Sequence, residues 1–371
     1  MLIQKTITIL HKQILQNFSK NDSVFYAIIF KLISLIWTDI DVADKFTKHN
    51  KREDVTSILS RLNLRYKVEG NNTKKIKDVS SLAHATLTDL SFCSAESDKA
   101  VKLISQSNAG VILCKKNLHG FVQPKQGSQL IFLDNPRFVF VDLANKIFHR
   151  KKMIGISKRS VISKTAKIGA RCYIGDYTVI GENCKIGNDT KIYDKVSLVG
   201  DCIIGDRCVI HSGVTLGDDG FAFERDENTL QQFPHFGKVL VGDDVEICAN
   251  SHIARGSLSD TVIGNGTKID ALVHISHNVV IGKNCEITAG AVIGGSTVLG
   301  DSSWVGLNAT LKNKIKVGNN VIIASGASVI HDVSNRDIVA GVPAKSIKHK
   351  VTASSDKLFL MAGQQRSDQE E

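Results

Sequence analysis

Aromatic side chains are scarce in this 371-residue chain, at 6%, and there are only four prolines, three methionines and two tryptophans. A core of ordinary size cannot lean on rings here, so branched aliphatics must fill it. The eight cysteines include no Cys-x-x-Cys pair, which removes the usual zinc-site and redox spacings, and no metal is expected. A reduced, cytoplasmic compartment is the simpler reading of so many unpaired thiols. Lys and Arg exceed Asp and Glu by 47 to 37, a net charge of +10. Zinc-finger spacing, aromatic-interleaved basic motifs and Arg-rich tracts are missing, so nucleic acid is not an expected partner. Phosphate-bearing small molecules or an acidic carrier protein suit the basic balance better.

Long apolar runs are also absent. Residues 24–37 (VFYAIIFKLISLIW) are apolar except for Lys31 and Ser34, yet fall short of the ~20 residues a membrane-spanning helix needs. No small-residue cleavage site follows. Residues 1–50 therefore carry three readings: a docking or interfacial helix, a weak membrane anchor, or a start placed too far upstream.

What is present is a beat of six. Ile156, Ile162, Ile168, Ile174, Ile180, Ile186, Ile192, Leu198, Ile204, Ile210 and Leu216 are evenly spaced. The beat resumes at Val241, Ile247 and Ile253, then runs from Ile263 to Val329. Neither a helix nor simple strand alternation has this period. It is the hexapeptide pattern of a parallel β-helix, in which each short strand turns one side chain inward before the next corner. Four residues after each aliphatic sits a small or β-branched residue, such as Cys172, Thr178, Cys184 and Thr190, as a tight corner requires. With three faces per coil the stack has roughly nine coils and stands about 40 Å tall at ~4.8 Å per coil.

The domain reading is thus an extension of uncertain role at 1–50, a small α/β domain at 51–150, the β-helix at 151–345, and a C-terminal helix and tail at 346–371. Within 51–150 a helix pattern at 52–63 precedes short strands near 109–114 and 129–133 and a helix near 138–149. Gly341-Val342-Pro343-Ala344-Lys345 ends the repeat, because proline cannot continue a strand ladder. The tail carries a short helix pattern at 356–361.

Solenoids place function where the repeat is broken. One break lies between Leu216 and Val241, so residues 217–240 should project, and a shorter one separates Ile253 from Ile263. Both precede the closely paired His274 and His277, which flank the inward Ile275 and so lie outside the prism or at a corner. Imidazole titrates near pH ~6.5, so a neutral His277 can take a proton from an attacking amine or hydroxyl. Spacing alone favours two exposed or interfacial histidines that do no chemistry.

Four stretches together resemble one family: Asp219-Gly220-Phe221-Ala222-Phe223, Pro234-His235-Phe236-Gly237-Lys238-Val239, Arg255-Gly256 through Ile269-Asp270, and His274-Ile275-Ser276-His277-Asn278. They look like the UDP-3-O-acylglucosamine N-acyltransferases of lipid A biosynthesis, over about residues 51–340. The resemblance implies a left-handed parallel β-helix preceded by a nucleotide-binding domain and assembled as a homotrimer. It implies transfer of a 3-hydroxyacyl chain from an acyl carrier protein thioester to a nucleotide-linked amino sugar, with no permanently bound cofactor. His277 then matches the general base, and Gly295 the glycine whose N–H faces the thioester oxygen. Phe221, Phe223 and His274 fall to substrate binding. Asp270, shortly before the histidine run, reads as a residue that binds the sugar, as one that orients His274, or as a solvated corner carboxylate. Phe92, in Leu90-Ser91-Phe92-Cys93, matches the aromatic of the nucleotide domain.

Some positions depart from the family. Lys314, between Lys312 and Lys316, stands where the family has a second histidine. Ala271, Ala254 and Asp98 replace an asparagine, an aspartate and a uracil-holding tyrosine. The ending Gly341–Lys345 looks more like sugar acetyltransferases that use coenzyme A. An alternative is therefore a coenzyme A-dependent acyl- or acetyltransferase acting on another nucleotide amino sugar. Lys314 reads either as part of a cradle for donor phosphate or as a solvated edge. Asn135-Pro136-Arg137 reads as a family segment or as a turn that starts a helix.

Overall fold

The six-residue beat folds into a parallel β-helix. The structure, a computed structural model, describes residues 65–147 and 153–348. The apolar stretch 24–37 and the helices expected at 52–63 and 356–361 lie outside those residues. The chain divides into two units, Met1–Arg150 and Lys151–Glu371.

In the first unit five strands form one sheet: β1 (Lys67–Gly70), β2 (Asp78–Val79), β3 (Asp89–Cys93), β4 (Val111–Lys115) and β5 (Gln129–Leu133), in the order β1-β5-β4-β3-β2. Only β1 is antiparallel to its neighbour. Both faces are covered, which is why β4 and β5 read as unbroken apolar runs instead of alternating. On one side Ile112, Leu130 and Phe132 pack with Ala100 and Ile104 of α1 (Ser97–Gln106). On the other Leu113 and Ile131 pack with Val139 and Leu143 of α2 (Pro136–Ile147). The strand expected at 109–114 starts at Val111, and α2 starts two residues before the expected 138. Asn135 explains the earlier start: its Oδ1 accepts the N–H of Phe138 at 3.1 Å, leaving Pro136 at the first helical position, where its missing N–H costs nothing.

The second unit stacks its strands into three sheets of nine, eight and eleven. The first face carries Ile162, Ile180, Leu198, Leu216, Ile253, Ile275, Ile293, Leu311 and Val329; the second runs from Ile168 to Val317, and the third from Ile156 through Ile323. One coil is 18 residues, so Ile162 pairs with Ile180 and Ile180 with Leu198. The ladders from Ile174 to Val329 are buried in one continuous core of Ile, Val, Leu, Ala and Cys, with no ring among its members. Each Ile, Val or Leu among them contributes about 1.5–3 kcal/mol on burial. The corner thiols of Cys172, Cys184, Cys202, Cys208 and Cys285 are buried with them, and all eight cysteines are free.

Two expectations need correction. Ile156 is not buried in the core: it keeps register with Ile174 but is 52% exposed, because its strand is the edge of its sheet and has a neighbour on one side only. Ile162 and Ile168 are half-buried for the same end-of-stack reason. The projecting segment is also shorter than 217–240. The strand Thr215–Asp218 keeps pairing with His252–Ala254, and Val239–Val241 rejoins the second face, so residues 219–238 leave the ladder.

Corners repeat one backbone solution, a residue in the left-handed region. Asn and Asp, which tolerate it best among residues with side chains, take many of these places, including Asn183, Asp189, Asp244, Asn250, Asn278 and Asn284. Along the edge after the second face an Asn/Asp ladder adds a further bond per coil, with Asn188, Asp206, Asp243, Asn265, Asp301 and Asn319 accepting from the coil below or bonding to it. The ladder ends when the chain doubles back, Lys345–Ser346 pairing antiparallel with Ile338–Ala340.

Candidate active site

Both breaks in the repeat open at one edge of the prism, where the chain leaves the first face. His277 follows at that edge one coil on, after the strand His274–Ile275. Gly295 and then Lys314 occupy the next two coils: Ser296 N–H donates to the His277 carbonyl at 2.9 Å, and Lys314 N–H to that of Gly295 at 2.9 Å. Three residues singled out in the sequence are thereby stacked within roughly two coil spacings of ~4.8 Å each.

The first insertion carries a small hairpin, Phe223–Arg225 with Leu230–Gln232, whose residues are exposed. Its return limb lies on the second insertion. Phe236 N–H donates to Ser257 O at 2.7 Å, and Gly237 N–H to Gly256 O at 2.9 Å. Arg255 locks the two together, its Nε donating to Gly237 O at 2.8 Å while its other end reaches Asp201 at 3.3 Å.

This scaffold decides the chemistry of His277. Asn278 donates through Nδ2 to Ser259 O at 2.8 Å, and its Oδ1 accepts from Ser257 N–H at 3.1 Å and Ser257 Oγ at 2.8 Å. A carbonyl can only accept and a backbone N–H can only donate, so the amide has one possible orientation. Oδ1 lies 2.8 Å from His277 Nδ1, which must therefore donate. In the neutral imidazole the proton is on Nδ1 and the Nε2 lone pair is open, the form a general base requires.

Around that Nε2 the chain removes side chains. A Cβ on Gly295 would lie 2.8 Å from His277 Nε2, and a Cβ on Gly220 would lie 2.9 Å from His277 Cδ2. Any other residue at either place would push the ring or crowd it. The Gly295 N–H has no acceptor among the described residues, so it remains able to donate to an incoming oxygen.

His274 faces outward on the first face and pairs with His252, not with Asp270. The two imidazoles stack at 5.2 Å and 5°, with Nδ1 atoms 3.3 Å apart. Burial, and then the His252 ring, hold the His274 pKa below the ordinary imidazole value. Asp270 spends its carboxylate on the corner, accepting the N–H of Ala271 at 2.8 Å and of Ala289 at 3.1 Å. Phe221 and Phe223 stand in the first insertion with rings 5.0 Å apart, Phe221 being 87% exposed. Lys312, Lys314 and Lys316 are all exposed. In the other unit Phe92 packs on Phe140 at 4.7 Å and does not line the cavity of about 490 Å³ bounded by Lys74, Thr86, Thr88, Asn108 and Lys125. Sequence reasoning passed over Arg255, Asn278, Gly220 and His235 as individuals, although all lie in or beside the breaks of the repeat. Among the described residues no helix is long and apolar enough to cross a membrane.

The repeat and the edge-mounted histidine define a hexapeptide-repeat transferase. Residues 183–218 and 260–295 match the family described as bacterial transferase hexapeptide (six repeats), and residues 165–192 match the hexapeptide repeat of succinyl-transferase. Residues 73–146 match UDP-3-O-(3-hydroxymyristoyl) glucosamine N-acyltransferase, LpxD. A UDP-3-O-acylglucosamine N-acyltransferase of Coxiella burnetii is 37% identical over 276 residues, covering 69% of this chain and 79% of that protein. One of Methylorubrum populi is 42% identical over 146 residues, 39% of this chain and 42% of that one. Among solved structures, the UDP-N-acetylglucosamine acyltransferase of Francisella novicida aligns at 28% identity over 52% of this chain and 68% of that one, with a TM-score of 0.48. On the Coxiella match and the LpxD domain, the chain belongs to the UDP-3-O-acylglucosamine N-acyltransferase family and is an acyltransferase.

Proposed function

We propose that the protein moves a 3-hydroxyacyl group from an acyl carrier protein thioester to the amino group of a UDP-3-O-acylglucosamine-like acceptor of lipid A synthesis, with His277 as general base. The observation that carries this reading is the Asn278–His277 bond, which leaves Nε2 basic and beside Gly295. The acceptor nitrogen adds to the thioester carbonyl carbon as His277 Nε2 takes one of its protons. Negative charge develops on the carbonyl oxygen, where the Gly295 N–H is available to donate. The C–S bond then breaks, its electron pair leaves on sulfur, and the thiolate recovers the proton from His277. A positioned base and a single oxyanion donor contribute about 10²–10⁴-fold and 10²–10³-fold respectively.

In this reading Phe221 and Phe223 line the substrate path, His274 and Asp270 support it, and Phe92 serves the nucleotide in the first unit. Lys314, exposed at the same edge, meets the phosphate of the donor's pantetheine arm. The solenoid is left-handed and assembles as a homotrimer, as the family resemblance implies. Eight unbridged cysteines support a reduced, cytoplasmic setting. A second reading rests on Lys314 in place of a histidine and on the Gly341–Lys345 ending: a coenzyme A thioester as donor and another nucleotide amino sugar as acceptor.

An acyl-transfer assay crossing UDP- and dTDP-linked amino sugars with carrier-linked and coenzyme A-linked donors tests both. Turnover is expected with the carrier-linked 3-hydroxyacyl donor and the UDP-3-O-acylglucosamine acceptor. Turnover confined to coenzyme A donors would favour the second reading, and none with any pair would defeat both.

A further inference from the structure

His235 is the one described side chain whose buried polar atoms have no partner. It is 7% exposed, and neither Nδ1 nor Nε2 makes a hydrogen bond. A buried imidazole with both nitrogens unbonded is costly, and a folded protein rarely keeps one without a use for it. Its position suggests the use. The ring meets that of His277 edge to face, with centroids 5.7 Å apart at 76°. A Cβ on Gly220 would lie 2.9 Å from His235 Nε2 and 2.9 Å from His277 Cδ2, so the same stretch of backbone covers both rings. That cover carries no side chain. It belongs to the outgoing limb of the first insertion, while His235 belongs to the return limb, anchored through Phe236 and Gly237 to Ser257 and Gly256. One limb is pinned to the second insertion and holds the imidazole; the other lies over it.

Building on the general-base reading of His277, we infer that His235 is a second substrate-contacting imidazole. When the Gly220 limb draws off the ring, a His235 nitrogen that is sealed in the free protein bonds the amino sugar acceptor beside the reacting nitrogen and so aligns that nitrogen with His277 Nε2. The acceptor brings amine and hydroxyl hydrogens and ring and hydroxyl oxygens, so it satisfies a neutral imidazole as donor or as acceptor. The unmet hydrogen bonds of the free protein are then made in the complex. This places the discrimination between an amino sugar and an apolar mimic partly on His235, because a site built to bond a polar group rejects one that lacks it.

The test compares His235→Phe, which keeps a ring of similar shape and removes the unpaired nitrogens, with His235→Gln, which keeps a donor and an acceptor. UDP-3-O-acylglucosamine is the acceptor, and each variant is measured for acceptor KM, donor KM, kcat and melting temperature with and without acceptor. We expect His235→Phe to melt at or above the wild-type temperature and to raise acceptor KM by about tenfold or more, with donor KM unchanged. Acceptor should raise its melting temperature less than it raises that of the wild type. His235→Gln should recover part of the loss. A His235→Phe protein with wild-type acceptor KM and wild-type stabilisation by acceptor overturns the inference. So does one that loses stability and activity together with no recovery in His235→Gln, which is the signature of packing alone. A wild type inert toward every acceptor defeats the parent reading of function, and this inference with it; an active wild type isolates the outcome to His235.

Discussion

The backbone N–H of Lys314 donates to the carbonyl oxygen of Gly295 at 2.9 Å, and the side chain leaves that corner into solvent. A charge is thus held one coil from the glycine beside His277, on a backbone that its side chain does not help to stabilise. Lys314→Ala should leave melting temperature nearly unchanged and raise donor KM, with an effect that shrinks as salt screens the charge. Donor KM measured at low and high salt checks this. An unaltered KM at low salt returns Lys314 to a solvated edge.

Truncating His277 to alanine should lower kcat by about 10²–10⁴-fold without loss of fold. Asn278→Ala should reduce turnover by a smaller factor, about tenfold or more, since Nε2 survives but its tautomer and orientation are no longer imposed. The asparagine change should also cost about 1–3 kcal/mol of stability, because Ser257 and Ser259 lose their partner. Denaturant melts with steady-state kinetics separate the two. Equal stability loss in both variants would contradict the distinct jobs assigned here.

At Gly295 the added atom of alanine would meet His277 Nε2 at 2.8 Å. The imidazole must shift, so Gly295→Ala should lower kcat at least about tenfold while the core ladder, which that residue does not enter, keeps its melting temperature. Wild-type turnover in a well-folded Gly295→Ala protein would mean that the edge near Nε2 is roomier than the structure indicates.

The burial of His274, together with its stack on His252, predicts an acid-sensitive fold. His274 has a lowered pKa in the folded state, so the unfolded chain binds its proton more readily. Above the ordinary imidazole value both states are neutral and nothing is lost. As pH falls through that value the unfolded state gains protons first, and stability declines until the folded pKa is passed. His274→Gln should therefore lose less melting temperature between pH 7.5 and 5.5 than the wild type. Parallel declines would assign the acid loss elsewhere.

The ladder from Ile174 to Val329 could be read directly because a hexad has one inward place, and a branched aliphatic there every sixth residue leaves no competing register. Ile156 obeys the same spacing yet lies exposed, since periodicity says which way a side chain points within a coil and nothing about which coil is last. His277 was recognisable from the break in the repeat together with the surrounding motif. Asn278 sat beside it unassigned, because its value comes from Ser257 and Ser259, which reach it only through the folding of an irregular insertion. His235 was hidden for a related reason: it meets His277 across 42 positions of chain by way of a segment with no period to read.

Leu216 and Ile253 pair in the ladder as neighbours, although the whole first insertion lies between them. The stack therefore does not register how long that excursion is. Residues can be gained, lost or exchanged between Ala222 and Phe233, whose backbones bond at 2.9 Å, while the pitch of the coils and the contacts of Gly220, His235 and Gly237 around His277 stay as they are. A hairpin taken from a relative and grafted between those two anchor points is the natural unit for retargeting the enzyme.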